Sequence, residues 1–140
     1  MNKEYHIYID TNILIGAYRA KYSIKDRNAL SWLASLKGKR LDTSSLSIAQ
    51  LAAKLDKELT NEHIKNIIKQ IQHRINILSF TNEDITKALI LDDRDIEDSM
   101  QYIISAKANC LYFVTNNVKD YRNYATIMVV NSNNIRTIPK

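Results

Sequence analysis

The feature that most constrains this chain stands at its start. Tyr5-His6-Ile7-Tyr8-Ile9 runs directly into Asp10-Thr11-Asn12. A short run that is apolar or aromatic at nearly every position reads as a β-strand covered on both faces. Strands of that kind belong to parallel sheets flanked by helices, where ligands bind just beyond the carboxyl ends of the strands. A carboxylate at that end, followed by Thr and Asn, has no strong capping role and points to function.

The remaining chain keeps the alternation that such a sheet needs. ILIGAYRA and NALSWLASL read as two helices joined by a basic connection. Residues 41–43 predict a short strand, and Ser44 or Ser45 a cap for a helix carrying Ile48, Leu51, Ala52, Leu55 and Leu59 on one face. Thr60 or Asn61 caps a further helix whose Ile64, Ile67, Ile68, Ile71 and Ile75 form an apolar stripe. INIL predicts a strand, Thr81 to about Leu91 a helix, and Asp95 the start of another with Met100, Ile103, Ile104 and Ala108 inward. LYFV (111–114) and TIMVV (126–130) complete the set. The expected fold is α/β: a three-layer α/β/α sandwich around a central parallel sheet.

With 140 residues, two glycines and one proline, the chain suits one domain over residues 1–140, without a linker. No apolar run is long enough for a membrane span, and MNKEYHIYID is too polar for a signal peptide, so a cytoplasmic location is expected. Cys110, the single cysteine, precludes an intrachain disulfide and reads as a core filler. The net charge of +5 is concentrated: residues 1–40 hold eight Lys/Arg against three Asp/Glu, and the rest of the chain balances. After Lys3, balanced by Glu4, the excess is Arg19, Lys21, Lys25, Arg27, Lys37, Lys39 and Arg40. Such a segment suits a polyanion through counterion release. It suits an acidic protein partner equally well, and ordinary solvated helix faces account for it too.

The acids gather in three places. Asp10 ends the first strand. Asp92, Asp93, Asp95, Glu97 and Asp98 surround a helix start, and Asp120 follows the LYFV strand by a short turn. Two carboxylates about 4 Å apart repel by about 4 kcal/mol at an effective dielectric of about 20. A site that gathers several therefore needs a cation, a proton or a helix N-terminus. Mg²⁺ or Mn²⁺ suits an all-oxygen donor set, and can activate water and neutralise phosphate charge. An acidic centre with a basic rim is the expected signature of a metal-dependent nuclease. Helix capping alone explains Asp92, Asp93 and Glu97. Asp95 reads as an N-cap, with Asp98 at the third helical position.

At this point the chain resembles the PIN-domain family. YIDTNILIGAY is similar to that family's opening, and DIEDSMQYIISAKANCLYFVTNNVKDY resembles its second hallmark, a D-x-E-D-a-x-Q helix, an apolar strand and T-x-N-x-x-D-[FY]. The resemblance implies a Mg²⁺-dependent (or Mn²⁺-dependent) endoribonuclease, commonly dimeric, and often the toxin of a toxin–antitoxin pair. It implies metal binding by Asp10, Asp98 and Asp120 with Asp95 adjoining, orientation of Asp10 by Asn12, and a lining of Thr115 and Asn117. Thr11 supports the same strand end. The segment SSLSIAQL departs from the pattern by placing Gln50 where the usual second acid, a Glu, stands. It resembles a branch in which that position is commonly not acidic. The alternative implied by Gln50 is a binding module of the same fold, for RNA or protein, with weak or no nuclease activity.

Other readings fit less well. A haloacid-dehalogenase-type phosphatase needs a second acid where Asn12 stands, and a receiver domain needs an acid pair at the first strand end. His6, His63, His73 and Cys110 are too dispersed for zinc. Tyr18 and Tyr22 lie beside the basic segment and could stack on bases, although packing alone accounts for them.

Overall fold

The computed structural model describes residues 4–91, 95–121 and 127–140; Lys3, Asp92, Asp93 and Thr126 lie outside the described residues. The strands are β1 (Tyr5–Ile9), β2 (Lys39–Ser44), β3 (Asn76–Leu78), β4 (Tyr112–Val114) and β5 (Met128–Val130). They form one parallel sheet in the order β3-β2-β1-β4-β5. The helices are α1 (Thr11–Tyr18), α2 (Ile24–Ser35), α3 (Ser45–Leu55), α4 (Asn61–Arg74), α5 (Asn82–Ile90), α6 (Ile96–Lys107) and α7 (Val118–Tyr121). A terminal 3₁₀ segment spans Ser132–Thr137, a stretch for which the sequence reading proposed no element.

The pleat of β1 explains the three layers. Ile7 and Ile9 face one side, into a core shared with Ile13 and Leu14 of α1, Leu33 of α2, Leu51 and Leu55 of α3, and Ile64, Ile67 and Ile71 of α4. Tyr8 faces the other, with Phe113 of β4, Ile104 of α6 and Tyr121 of α7. Thr60 caps α4 and Ser44 caps α3, as the sequence suggests. Leu59 falls outside α3 yet packs against the first core.

The inward face of α6 departs from the expected apolar one. Ile104 is fully buried, but Ser99, Gln101 and Ser105 are buried beside it, while Met100, Ile103 and Ala108 are half-buried. The cause is Tyr8. Its hydroxyl emerges from the sheet into a dry layer and must be paired. It bonds Gln101 Oε1 through a short contact and lies 2.9 Å from Ser44 Oγ.

Two buried carboxylates hold the frame. Asp42, fully buried on β2, takes both forks of the Arg40 guanidinium at 2.8 and 3.0 Å and also bonds Asn76. The Cys110 thiol donates to it at 3.5 Å; burial and that neighbouring charge push the thiol pKa up, which makes it inert filler. Asp26 of α2 accepts from Asn116 Nδ2 at 3.0 Å and from Ser132 Oγ through a short bond. It sits against Gly16 of α1 so closely that a Cβ there would overlap its carboxylate. Gly16→Ala is therefore expected to cost about 1–3 kcal/mol in chemical denaturation. Asp26→Ala should cost less on top of Gly16→Ala than alone, because the two share one clash. Strict additivity would contradict this packing.

Candidate active site

Between β1 and β4 the chain's direction of winding reverses. The order runs β1, β2, β3 to one side, then crosses back so that β4 and β5 add on the other. In open parallel sheets such a switch point leaves a crevice at the carboxyl ends of the two strands. Asp10 and Thr115 are the first residues past β1 and β4, and both are buried there.

Contrary to the sequence expectation that it has no strong capping role, Asp10 caps α1, its Oδ1 accepting from the Thr11 amide at 2.8 Å, because the helix starts directly at the strand end. Oδ2 accepts from Thr115 Oγ1 at 2.7 Å and from Asn12 Nδ2 at 3.1 Å. Asn12 bridges further, donating to Thr115 Oγ1 at 3.1 Å and accepting from the Asn116 amide at 3.1 Å. The Asn117 amide in turn donates to Thr115 Oγ1 at 3.0 Å. Asp10, Asn12, Thr115 and the 116–117 turn thus form one hydrogen-bonded unit, which Asp26 anchors through Asn116.

Burial pushes the Asp10 carboxyl up to about 6, against the downward pull of its three donors, and the charge of Asp98 pushes the same way. Asp98, third in α6, is likewise raised, first by burial and then by Asp95, Asp120 and Glu97. It accepts from the Tyr121 hydroxyl at 3.0 Å. Tyr121 is fully buried, and burial with Asp10 and Asp98 nearby raises its pKa, so it stays a donor. Asp95 is the N-cap of α6, holding the amides of Glu97 and Asp98 at 2.9 and 3.2 Å. Asp120, on α7, is exposed.

An open cavity of about 430 Å³ lies over these groups, lined by Asp10, Asn12, Gln50, Lys54, Asp98 and Asn117, among others. Asp10 and Asp98 share it; Asp95, Asp120 and Thr115 do not line it. Among the described residues no three His, Cys, Asp or Glu side chains converge closely enough to hold an ion by themselves. The donor set is nevertheless all oxygen, and both carboxylates carry more negative charge than their surroundings offset. That chemistry fits Mg²⁺ or Mn²⁺, which take one or two carboxylates and complete their shell with water.

Beneath the cavity runs a polar network whose centre the site reading missed. Gln101 Nε2 lies 3.0 Å from Gln50 Oε1 and 3.1 Å from Thr11 Oγ1 and Ser47 Oγ, while Gln101 Oε1 takes the Tyr8 hydroxyl. Thr11 Oγ1 donates to Gln50 Oε1 at 2.7 Å. Its signal was the glutamine of the D-x-E-D-a-x-Q pattern. Asp26 gave no signal, because only the fold brings residue 26 to residue 116.

None of the seven cations in the basic segment lines this cavity. Arg40 is committed to Asp42. Lys39 bonds the Ala34 carbonyl at 3.2 Å, and Lys21, Lys25 and Lys37 are exposed elsewhere. Arg27 bonds the Ala17 carbonyl and lies 3.3 Å over the Tyr22 ring. Arg19 and Arg27 instead border a larger groove of about 910 Å³ between the end of α1, α2 and α4, with Tyr18, Tyr22, Leu59 and Arg74.

The PIN domain family pattern matches residues 6–119. The chain belongs to the PIN-domain family. It is similar to ribonuclease VapC1 of Aquifex aeolicus, at 25% identity over 133 residues, covering 86% of this chain and 87% of that one. It also resembles the solved toxin–antitoxin complex from Klebsiella pneumoniae, with a TM-score of 0.66 and 17% identity over 90% of this chain and 97% of that chain. VapC20 of Mycobacterium tuberculosis, a sarcin–ricin loop cleaving toxin, superposes with a TM-score of 0.67 at 11% identity, covering 86% and 96%. These similarities agree with the parallel α/β sandwich. No described helix is long and apolar enough to cross a membrane.

The raised Asp10 pKa has a sign that experiment can read. Below about pH 4 the carboxyl is protonated in folded and unfolded chains alike. Between there and about 6 the folded chain keeps a proton that the unfolded chain has lost. Stability should therefore fall as pH rises through that window, with Asp98 adding in the same direction. Carboxyl-carbon NMR is expected to place the Asp10 midpoint near 6, and Asp10→Asn should flatten the stability slope in that window. A midpoint at the ordinary carboxylate value would refute the assignment.

Proposed function

We propose that the protein is a metal-dependent endoribonuclease and the toxin of a type II toxin–antitoxin pair. The observation that carries this reading is the Asp10–Asp98 pair, two carboxylates held in one cavity at the switch point of a PIN-family sheet. The name of the Aquifex relative supports a ribonuclease, and the solved complexes support an antitoxin partner. The family's chemistry makes cytoplasmic RNA the expected substrate.

In this reading Asp10 and Asp98 hold Mg²⁺ or Mn²⁺, while Asp120 and Asp95 contribute through water and through their charge. The ion, when bound, supplies positive charge at a scissile phosphate and lowers the pKa of water. The chain's own residues do the positioning. Thr11, Asn12 and Thr115 fix the Asp10 carboxylate, so that its free lone pairs face the cavity. Tyr121 fixes Asp98. Asn117, on the cavity wall beside Asp10, is placed to bond a substrate oxygen.

The larger groove supports the partner. Its apolar floor, with Tyr18, Tyr22 and Leu59, and its cationic rim of Arg19, Arg27 and Arg74 suit an amphipathic acidic segment such as an antitoxin would bring. Part of the basic segment then serves protein binding rather than RNA. Exposed Leu89 and Ile90 on α5 support a homodimer.

One observation favours a second reading, a PIN-fold binding module without turnover. Gln50 Oε1 is turned inward onto Thr11 and Gln101, so this position offers the cavity no carboxylate. Cleavage of single-stranded and structured RNA with Mn²⁺ or Mg²⁺ decides between them. Wild type should cleave, and Asp10→Asn should lose about a hundredfold or more. Equal cleavage by both proteins sinks the nuclease reading. An inactive wild type that gains metal-dependent cleavage on Gln50→Glu would establish the second.

A further inference from the structure

The cavity over Asp10 and Asp98 has two unlike walls. Strand β1 and helix α6 supply Asp10, Glu97 and Asp98; helix α3 and the turn after it supply Gln50, Ala53, Lys54 and Lys57. Gln50, Ala53 and Lys54 share one face of α3, and Lys57 follows in the turn. We propose that Gln50, Lys54 and Lys57 form a phosphate-binding wall that holds the backbone of single-stranded RNA across the cavity from Asp10 and Asp98. This rests on RNA being the substrate.

Three observations carry it. First, the orientation of Gln50 is fixed from within. Its Oε1 serves Thr11 Oγ1 and Gln101 Nε2, which leaves its Nε2 amide as the group able to donate outward. Among the described residues no acceptor takes it. A glutamate there would present an acceptor and repel phosphate; this glutamine presents a donor.

Second, Lys54 and Lys57 are exposed cations without an ion-pair partner among the described residues. Four other cations are engaged in ion pairs among the described residues. Arg19 pairs with Glu58, Arg40 with Asp42, Lys87 with Glu83 and Lys107 with Asp84. Glu97 borders the same cavity as the two lysines and still lies beyond ion-pair reach of either.

Third, residue 50 precedes Lys54 by one helical turn. A glutamate there would be the favoured i,i+4 partner of Lys54 and would neutralise it. With glutamine the lysine keeps its charge for a ligand. Lys54 does lie in the last turn of α3, where a cation complements the helix dipole. That role does not require Lys57 or the Gln50 amide to border the same cavity.

The consequence is a polarised cleft. An anionic strand passing through it meets cations along α3 and a carboxylate pair opposite, where a divalent ion would face the phosphate. The seven cations of residues 19–40 are not needed for this contact.

The test is metal-free. Binding of a short fluorescein-labelled single-stranded oligoribonucleotide is followed by anisotropy in EDTA across a salt series, so neither metal loading nor cleavage enters. Lys54→Gln/Lys57→Gln should weaken binding by about tenfold at low salt and reduce the log–log salt slope by about 1.4, or about 0.7 per lost phosphate contact. Lys65→Gln/Lys69→Gln, which removes the same charge from exposed positions on α4 outside this cavity, should leave the slope nearly unchanged. Gln50→Glu should weaken metal-free binding as well. Thermal melts show whether each variant is folded. Equal losses from both lysine pairs, or no loss from Lys54→Gln/Lys57→Gln, overturn the wall while leaving the cleavage result untouched. A wild type that binds RNA through these lysines but never cleaves keeps the wall and removes the nuclease. A wild type that does not bind the oligonucleotide overturns the wall.

Discussion

A carboxylate taken out of water is stabilised only by what its new surroundings return to it. At Asp10 the return is partial. Three donors converge on its two oxygens, yet burial outweighs them and the group titrates near 6. Much of the architecture on this side of the sheet is arranged around that imbalance. The α1 N-terminus begins on Asp10, the β4 turn is tied to it through Thr115 and Asn12, and α6 delivers a second underpaired carboxylate to the same cavity. Such a centre has a standing affinity for positive charge, which a bound divalent cation would exploit.

The support beneath is as specific as the site. Tyr8, Ser47, Gln50, Gln101 and Thr11 form a largely buried polar network that occupies the Gln50 Oε1 from within. Networks of this kind fix orientation because any rearrangement leaves a buried polar atom unpaired. Here it fixes the amide of Gln50. A position that reads in sequence as the loss of a ligand becomes, in the folded chain, a donor of known direction. Lys54 and Lys57 take their meaning from it.

The sequence made the frame legible because periodicity records burial. The apolar β1 and β4 runs, the Ile64–Ile75 stripe and the Thr and Ser caps each lie where their patterns place them. Asp10 was legible as a strand-end acid, although it also caps α1, a local role the pattern did not suggest. What could not be read depends on distant meetings. The buried Gln101 on α6 follows from where the Tyr8 hydroxyl ends, and periodicity sees only apolar spacing. Arg40 looked like part of a free basic patch, because nothing in KRLDTS says that Asp42 points inward and binds it. Asp26 and Gly16 touch only because α1 and α2 fold against each other. Charge counting located the positive excess in the first 40 residues, but the cations that border the acidic cavity are Lys54 and Lys57, from a stretch where the charges balance.

The connectivity of the sheet also imposes a timetable. β1 is central and is synthesised first, but its neighbour β4 comes 105 residues behind it in the bond between Thr115 and Asp10. Asp98, Tyr121 and the 115–117 turn all emerge late. While the ribosome is still extending the chain, Asp10 has neither its orienting hydroxyl nor its carboxylate partner, and β1 has one open edge. The site closes only once nearly the whole domain has been made. For a protein that would cut RNA, the order of synthesis leaves Asp10 without Asp98 until α6 has been made, and without its orienting Thr115 until β4 follows.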